Sequence, residues 1–433
     1  MFRSLANRNY RLFATGQVIS LSGTWAQRVA QDWLVLLIVP KSQAAVALGI
    51  TTALQFLPML LFGLYGGVLA DRYDKRRLLI GAQVSMGVLA LILGLLDLTG
   101  VVQLWHVYIL AFGLGLASVI DTPARQSFVS ELVGTDDLPN AVSLNSATFN
   151  SARIVGPALA GVAITGVGTG WVFMANAASY VAVLAGLMRM RPAEFWPSPR
   201  QPRGRGQLAE GVRHVRERPE LYVPILLVFM IGTFGLNFQQ TLALIAKQTF
   251  QTGASSFGLL SSCLAFGSLL GALASARRKG APRSRTMLLA ALAFGLLEVI
   301  DGAAPSFIVL ALLLIPTGFA VLTFTTTSNS LLQLACDPAL RGRVMSIYVL
   351  VFLGGTPAGA PLVGLLAQTW GPRSSLLIGG AVCAVSALAA AVLLARKSPD
   401  VTSIVPTRRR PPGRVHPAQG RSRRAVRVPL HRG

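Results

Sequence analysis

The segment Gly67-Val-Leu-Ala-Asp71-Arg72-Tyr73-Asp74-Lys75-Arg76-Arg77 stands between two long apolar runs, residues 46–70 and 78–98. An apolar run of roughly 20 residues can span a bilayer as a helix, so this segment is predicted to be a short loop at one membrane surface. Gly67 allows close helix packing, Asp71 can face a helix N-terminus or a basic partner, and the basic residues can bind carboxylates. We therefore expect the loop to latch neighbouring helices together.

Arg125 and the pair Arg341 and Arg343 are the candidate partners of Asp71, because all of them stand at the same predicted surface. In the second half of the chain, Ser275 occupies the position that corresponds to Asp71. The equivalent latch is therefore expected to be weak or absent there.

Apolar runs of spanning length recur along the chain and predict an all-α polytopic membrane protein with twelve transmembrane helices. Of its 433 residues 53% are hydrophobic and 13% charged, whereas soluble domains carry about 25% charged residues. This composition excludes a soluble multidomain enzyme. The predicted helices are residues 13–38, 46–70, 78–98, 105–122, 141–165, 171–188, 222–246, 254–276, 286–303, 305–333, 343–369 and 374–395.

The basic residues predict the orientation of these helices. There are 39 Lys and Arg against 16 Asp and Glu, and they cluster in every second connection, which is the pattern of cytoplasmic loops. Both termini are therefore predicted to be cytoplasmic. The net charge of +23 follows from this topology and does not require nucleic acid as a partner. We expect a multi-pass protein of the inner (plasma) membrane, embedded in the lipid bilayer.

A polar stretch rich in Arg and Pro, residues 189–221, is predicted to be a cytoplasmic central loop. It separates an N-terminal six-helix bundle, residues 1–188, from a C-terminal six-helix bundle, residues 222–396. Residues 397–433 are basic and lack apolar periodicity, so they are predicted to form a disordered cytoplasmic tail.

The two halves also repeat in sequence. The stretch Gly63-Leu-Tyr-Gly-Gly67-Val-Leu-Ala-Asp71 aligns with Gly267-Ser-Leu-Leu-Gly271-Ala-Leu-Ala-Ser275, and Gly161 and Gly364 align at nearly the same spacing. Parallel repeats of this kind occur in transporters that bind their substrate at the repeat interface, near the middle of the bilayer. The repeat therefore predicts a central substrate site.

Two motifs are similar to signatures of one family. The Gly67–Arg77 segment resembles the cytoplasmic loop signature of the major facilitator superfamily, Gly-x-Leu-Ala-Asp-Arg-x-Gly-Arg-Arg, with Asp74 in place of the second glycine. The stretch Ala152-Arg153-Ile-Val-Gly156-Pro157-Ala-Leu-Ala-Gly161 resembles the Gly-Pro motif of antiporters in that superfamily, with two alanines in place of glycines.

The opening segment up to Phe13 and Arg341-Gly-Arg-Val-Met-Ser346 are similar to the enterobactin-exporter-like branch, which includes bacterial drug and siderophore exporters. The resemblance implies the fold of the superfamily, alternating access between two bundles, antiport and export. It does not identify the cargo.

Charged residues within the predicted spans are candidate functional groups, because charge in hydrocarbon is costly. Arg28 and Asp32 lie four residues apart on one face of the first helix, and Arg153 lies midway through the fifth. In one interpretation Asp32 is a proton-coupling carboxylate and Arg28 and Arg153 are its switchable partners. In the other, Arg28 and Asp32 form a permanent pair that allows the helix to insert.

Other polar groups leave alternatives open. Arg153 either assists Asp32 or binds an anionic group of the cargo; Glu298 is either an alternative coupling site or attracts cationic drugs. Asp97 and Asp301 are interpreted as solvated helix ends. The remaining candidates share an uncharged polar side chain within a span, and either line a cavity or bond to neighbouring backbone carbonyls. They are Gln31, Asn145, Asn150, Asn237, Thr317 and Thr323.

The sequence therefore predicts a secondary active transporter, most simply a monomeric, proton-coupled exporter of a small amphipathic molecule. No cofactor other than the proton gradient is expected, and the scattered Cys and His residues indicate no metal site. We expect no enzymatic activity, because no nucleophile or phosphate-loop motif is present. The alternatives are a proton symporter or facilitator for a nutrient or metabolite, and a non-transporting membrane receptor or scaffold.

Overall fold

In a computed structural model the described residues are 3–196, 207–278, 282–336 and 340–397, and they contain helices but no strand. The central loop is thus described in part, and the predicted tail lies outside these ranges except for Lys397. The helices are α1 (Arg8–Ile38), α2 (Ala44–Arg72), α3 (Lys75–Leu98), α4 (Leu104–Val167), α5 (Thr169–Met188), α6 (Gln207–Glu217), α7 (Pro219–Phe234), α8 (Phe238–Leu244), α9 (Ala254–Arg277), α10 (Ser284–Gly302), α11 (Phe307–Ala335), α12 (Arg341–Trp370) and α13 (Pro372–Lys397).

The element α4 contains the two predicted helices, 105–122 and 141–165, and the loop predicted between them is reduced to a bend. The two helical parts meet at Gly134, whose backbone is not helical and whose φ of 70° lies in the left-handed region. Glycine adopts this conformation at little cost because it has no Cβ. The amide of Trp196 donates to the carbonyl oxygen of Glu131 at 2.8 Å beside this bend.

The predicted helix 222–246 is broken in the structure. Helix α7 ends at Phe234, α8 begins at Phe238, and a π-helical turn follows at Ile245–Thr249. Asn237 accounts for the break: its side-chain amide donates to the carbonyl oxygen of Thr233 at 2.7 Å, in place of its own backbone amide. Side chains that compete in this way with the backbone interrupt helices.

The predicted central loop, residues 189–221, contains a helix that the sequence analysis missed. Helix α6 packs against α7 and α12, and its Val215 is buried. Its polar residues concealed it in a search for apolar runs.

The helices pack mainly with others of the same predicted bundle. Helix α1 packs on α4 and α5, and α3 on α5; in the second half α9 packs on α11, and α10 on α13. The most extensive contacts between the halves join α2 with α12 and α4 with α9, and smaller ones join α1 and α2 with α8 and α1 with α9. These helices are therefore the candidates for the wall of a cavity between the halves.

Nine helical segments of the described chain are long and apolar enough to cross a membrane. Three predicted spans fall outside this set: α1, the part of α4 after Gly134, and α10. All three are helical, and they contain the intramembrane charges named above. Their membrane crossing, the count of twelve and the cytoplasmic termini stay predictions. The nine segments are Ala44–Gly63, Lys75–Leu98, Leu104–Gly134, Thr169–Met188, Pro219–Thr249, Ala254–Arg277, Phe307–Ala335, Arg341–Trp370 and Pro372–Arg396.

The 67–77 loop fastens α3 to its neighbours. Asp74 caps α3 by accepting a hydrogen bond from the Arg77 amide at 3.0 Å, and Lys75 forms an ion pair with Glu131 of α4. Arg76 donates to the last carbonyls of α5, with Nε 2.8 Å from the Leu187 oxygen. Cations at a helix C-terminus also interact favourably with its dipole.

The predicted close packing at Gly67 is wrong by one residue. A Cβ on Gly67 would meet nothing within 4 Å, whereas one on Gly66 would collide with the Val119 carbonyl of α4.

The segment before α1 and the first turn of α1 are also bound to this end of the molecule, which we call the basic end because the predicted cytoplasmic arginines lie there. The Ser4 hydroxyl donates to Asn140 at 2.7 Å, and the Tyr10 hydroxyl donates to the Ala141 carbonyl at 2.9 Å. The Asn9 amide donates to the Arg191 carbonyl at 3.0 Å.

Replacing Arg76 by Ala is expected to lower the apparent unfolding temperature of the purified protein by a few degrees. The variant loses two charge-assisted bonds to the end of α5, each of a kind that contributes about 1.5 to 3 kcal/mol. Arg77→Ala is the matched control, because that side chain is exposed. Equal unfolding temperatures for the two variants would contradict this role of Arg76.

Candidate functional site

A cavity of about 210 Å³ lies between the two halves of the molecule. Helices α1, α2 and α4 contribute to its wall from the first half, and α8, α9, α11 and α12 contribute from the second. The break between α7 and α8 also opens onto it, through Leu236 and Asn237. The predicted location of the site at the repeat interface therefore matches this cavity.

Helix α1 presents Trp25, Arg28 and Asp32 to the cavity. Their spacing of three and four residues places them on one face of the helix. Gln31 is buried but lies outside the lining, and Gln27 bonds to Asn176 of α5 instead. Only one face of α1 therefore serves the cavity.

Two arginines gather around Trp25. The guanidinium carbon of Arg28 lies 4.8 Å from the centroid of the Trp25 ring and 5.5 Å from that of Phe56. Arg153, reaching in from α4, lies 5.9 Å from the Trp25 centroid. Arginine on an aromatic face gains electrostatic stabilisation, which increases when water is excluded. Cation–π contacts with these rings thus stabilise the two guanidinium groups at the cavity, so that a carboxylate partner for each arginine is not needed.

Asp32 is buried, and both it and Gln239 of α8 line the cavity wall. A direct ion pair with Arg28 is not among the described contacts, so the permanent Arg28–Asp32 pair considered in the sequence analysis is not observed. The carboxylate of α1 shares the cavity wall with α8, which belongs to the other half. Asp32 therefore stands at the interface between the two halves.

Four side chains of the cavity wall carry a buried polar atom without a hydrogen-bond partner in the described part of the chain. Buried polar groups are nearly always bonded to protein, water or ligand. Two of the four are donors or can donate, and two are amide oxygens that accept, so the wall offers both kinds of bond to a guest molecule. They are Arg28 Nε, Ser261 Oγ, Asn237 Oδ1 and Gln240 Oε1.

Five of the other candidates lie outside this wall. Asn150 donates to the Ser146 carbonyl of its own helix, and Thr317 donates to Asp301 at 2.9 Å. Asn145 and Thr323 are likewise elsewhere, and Glu298 is buried in the second half. Of the six uncharged candidates, only Asn237 lines the cavity.

Asp301 contradicts its interpretation as a solvated helix end, because its side chain is buried. The hydrogen bond from Thr317 of α11 directs the Asp301 side chain into the interior of the helix bundle. Asp97, the other aspartate interpreted in this way, accepts a hydrogen bond from Thr169.

Arg125 does not serve as the predicted partner of Asp71 in the contacts described. It forms an ion pair with Asp121 at 2.7 Å and donates to Gln17 of α1 at 3.1 Å. Gln83 of α3 donates to the same Asp121 at 2.7 Å. This buried network joins α1, α3 and α4.

Asp71 and Arg72 are exposed at the end of α2, and Arg341 and Arg343 lie in the first turn of α12. Since α2 and α12 pack together, these charges lie on the two sides of one interface between the halves.

The Gly-Pro motif of α4 packs against two helices. A Cβ on Gly156 would lie 2.6 Å from the Trp25 Cβ of α1, and a Cβ on Gly161 would lie 2.9 Å from the Ala254 carbonyl oxygen of α9. Small residues allow helix backbones to approach this closely. Pro157 lines the cavity between them. The motif therefore joins the halves at the end opposite the basic end.

Helices α2 and α12 close the same end in the same way. A Cβ on Gly49 would lie 2.6 Å from the Ala360 carbonyl oxygen, and one on Gly364 would lie 2.6 Å from the Ala45 carbonyl oxygen. Gly161 and Gly364, aligned by the sequence repeat, thus play corresponding parts in the two contacts.

The sequence analysis missed Gln239, Gln240 and Ser261 as wall residues. A signal was present for the first two: Asn237-Phe238-Gln239-Gln240 is a polar run inside an apolar helix. Such an interruption is a known pointer to a binding site in transporters.

Comparison with known proteins adds the family. The profile of a family described as transmembrane secretion effectors matches residues 1–428. Macrolide efflux protein A of Streptococcus pyogenes is 22% identical over 387 residues, covering 86% of this chain and 92% of that protein. The staphyloferrin A transporter of Staphylococcus aureus is 24% identical over 365 residues, covering 83% and 90%. Enterobactin exporter EntS of Escherichia coli is 25% identical over 316 residues, covering 73% and 75%.

Solved structures share the fold. A bacterial homologue of the human lysosomal transporter Spinster, inward-facing and unoccupied, superimposes with a TM-score of 0.71 at 14% identity, covering 89% of this chain and 97% of that one. A D-xylose–proton symporter gives a TM-score of 0.62 at 15% identity, covering 89% and 96%. With the profile match over nearly the whole length, the chain belongs to the transmembrane secretion effector family of the major facilitator superfamily, and it is a membrane transporter rather than an enzyme.

Proposed function

We propose that the protein is a proton-coupled exporter of small amphipathic molecules, acting as a monomer in the inner membrane. Twelve helices cross the bilayer, with the basic end and both termini in the cytoplasm. The observation that carries this proposal is the cavity between the halves, where Asp32, Arg28 and Arg153 meet four unpartnered polar atoms. The proton gradient is the energy source, and no other cofactor takes part.

The glycine contacts support an alternating-access cycle. They close the end opposite the basic end. A cavity of about 210 Å³ is smaller than the roughly 300 to 1,000 Å³ that surrounds a drug-sized ligand. A cargo of that size therefore needs the two halves to move apart at the basic end before it binds.

Asp32 is the proposed carrier of the proton. It is the carboxylate of the cavity wall, and it shares that wall with Gln239 of the other half. Protonation removes its negative charge and weakens it as a hydrogen-bond acceptor. A proton entering from outside would thus change the charge of the cavity at the interface between the two halves.

The sign of the coupling depends on the cargo's charge. Protonation of Asp32 makes a wall with two guanidinium groups more positive, so it repels a cationic cargo and attracts an anionic one. A cargo whose binding competes with that of the proton favours proton–cargo exchange (antiport). A cargo whose binding is strengthened by the proton favours co-transport (symport). The excess of arginine over carboxylate in the wall is the observation that supports the second candidate function, a symporter or facilitator for an anionic metabolite.

The non-transporting receptor or scaffold considered from the sequence is not retained, because the chain belongs to a family of membrane transporters.

The first test concerns Asp32 in proteoliposomes with an imposed pH gradient, using erythromycin, enterobactin and staphyloferrin A as probes because the relatives carry such molecules. In Asp32→Asn, gradient-driven movement of the transported probe should be lost, while exchange of labelled for unlabelled probe persists. Asp97→Asn, an aspartate outside the cavity wall, is the control. Gradient-driven transport at the wild-type rate in Asp32→Asn would eliminate the proposed coupling site.

The second test separates the two candidates by charge. If the cargo is anionic, Arg153→Gln should weaken binding of staphyloferrin A by about 10-fold or more, because a hydrogen bond to a charged group contributes about 1.5 to 3 kcal/mol, and binding should strengthen as the pH falls. If the cargo competes with protons, binding of erythromycin should weaken as the pH falls. Arg373→Gln, outside the cavity, controls for the loss of a positive charge.

The third test concerns the closed end. Gly161→Leu places a side chain where the Ala254 carbonyl already lies, so it should hold that end open and increase the labelling of Asn237→Cys by a membrane-impermeant maleimide added from outside. The native cysteines are replaced by Ala in this background. Gly166→Leu is the matched control on the same helix, because a Cβ there meets nothing within 4 Å. Equal labelling in both variants would show that Gly161 does not seal this end.

A further inference from the structure

Helix α10 carries two carboxyl groups that the cavity does not use. Glu298 and Asp301 are three residues apart, each is 2% exposed, and neither lines the cavity wall. Each has one carboxyl oxygen, Oε2 of Glu298 and Oδ1 of Asp301, that is buried without a hydrogen-bond partner among the described residues. Residues three apart on a helix are neighbours, so both side chains stand on the same side of α10, Glu298 beside Gly379 of α13 and Asp301 beside Thr317 of α11.

The surroundings of the pair offer hydroxyl and thiol groups but no cation. Thr317 of α11 donates to Asp301 Oδ2 at 2.9 Å, and Cys383 of α13 contacts Glu298. Helices α11 and α13 pack on α10; α11 has no Lys or Arg, and the arginine at the start of α13, Arg373, stacks on Phe250 instead. No ion pair to either carboxyl group is described.

The helix itself also opposes two negative charges here. Glu298 and Asp301 stand in the last turns of α10, which ends at Gly302 and has no basic residue in its last turn. The C-terminus of a helix carries a partial negative charge. Two adjacent buried carboxylates without a cation do not both ionise, because each raises the cost of charging the other.

We propose that Glu298 and Asp301 form a binding site for one shared proton, separate from Asp32 and from the cargo cavity. This site does not depend on the identity of the cargo or on the direction of transport. It adds a second proton-binding position to the transporter. The proposal for this position can therefore be correct or wrong independently of the proposal made for Asp32.

The site lies next to the moving part of the cavity wall. A Cβ on Gly379 would lie 3.1 Å from Glu298 Oε1 and 2.7 Å from the Phe234 carbonyl oxygen, at the point where α7 breaks. A Cβ on Gly235, within the break, would lie 2.9 Å from Cys383 Sγ. The next residues of the break, Leu236 and Asn237, line the cavity. The shared proton thus sits one layer of side chains behind the wall.

The test is infrared spectroscopy of the full-length protein in lipid at mildly alkaline pH, where exposed carboxyl groups are ionised. Subtracting the spectrum of the double variant Glu298→Gln/Asp301→Asn from that of the wild type should leave the C=O stretch of one protonated carboxyl group and one carboxylate band. The single variants are recorded as well, so that the test does not depend on the folding of the double variant. In each, the remaining carboxyl group loses its like-charged neighbour and its spectrum changes.

Asp97→Asn is the control, and its subtraction should leave no change in the bands assigned to the pair. A difference spectrum with two carboxylate bands and no protonated band would overturn the proposal. Loss of the protonated band on adding sodium chloride, but not choline chloride, would overturn it in favour of a sodium site. Asp32→Asn should leave the bands of the pair intact, which distinguishes this proposal from the one concerning the cavity.

Discussion

A charge inside a bilayer must have a polar partner, an aromatic face or a proton, and this constraint accounts for where the polar side chains of the protein lie. Asp121 is matched by Arg125 and Gln83. Arg28 lies over two aromatic rings. The carboxyl groups of α10 have no cation or aromatic face among the described residues, and each keeps one oxygen without a hydrogen-bond partner there, so a proton is the partner that we propose for them. The three solutions occur in separate places, so the chain keeps structural charges apart from those that can titrate during transport.

Most of the helices could be predicted from the sequence, because a span must satisfy its backbone internally and be apolar outside. Three predicted spans are absent from the nine segments that are long and apolar enough to cross a membrane, and they share one property. In α1, the later part of α4 and α10, intramembrane charges lower the hydropathy. Functional residues thus weaken the very signal by which a span is recognised. The alternation of basic and non-basic loops added the three spans that hydropathy alone does not identify, and these stay predictions. The break at Gly134 lies in the connection predicted between residues 122 and 141, whereas the break at Asn237 was not predicted.

The pairing of charges could not be read from spacing. Arg28 and Asp32 stand four residues apart, and so do Asp121 and Arg125, yet only the second pair forms an ion pair in the described contacts. The difference lies in tertiary neighbours: Arg28 lies over Trp25 and Phe56 and Asp32 lines the cavity, whereas Gln83 and Gln17 complete the network around Asp121 and Arg125. One helix in isolation does not contain this information. The position of Asp301 could not be read from one helix either. The sequence predicted a solvated residue at a helix end, but Asp301 is buried and bonded to Thr317 of the neighbouring helix.

The anchoring of Ser4 and of the first turn of α1 bears on how the protein is handled in the laboratory. Ser4 and Tyr10 bond to Asn140 and Ala141 of α4, and Asn9 bonds to Arg191 in the segment after α5, so the chain enters the bundle through a fixed contact. An affinity tag or fluorescent fusion joined directly ahead of residue 3 must emerge beside that contact and competes with it for space. A flexible spacer ahead of the fusion relieves that crowding, and the same contact makes the position suitable for a spectroscopic label that reports on the basic end.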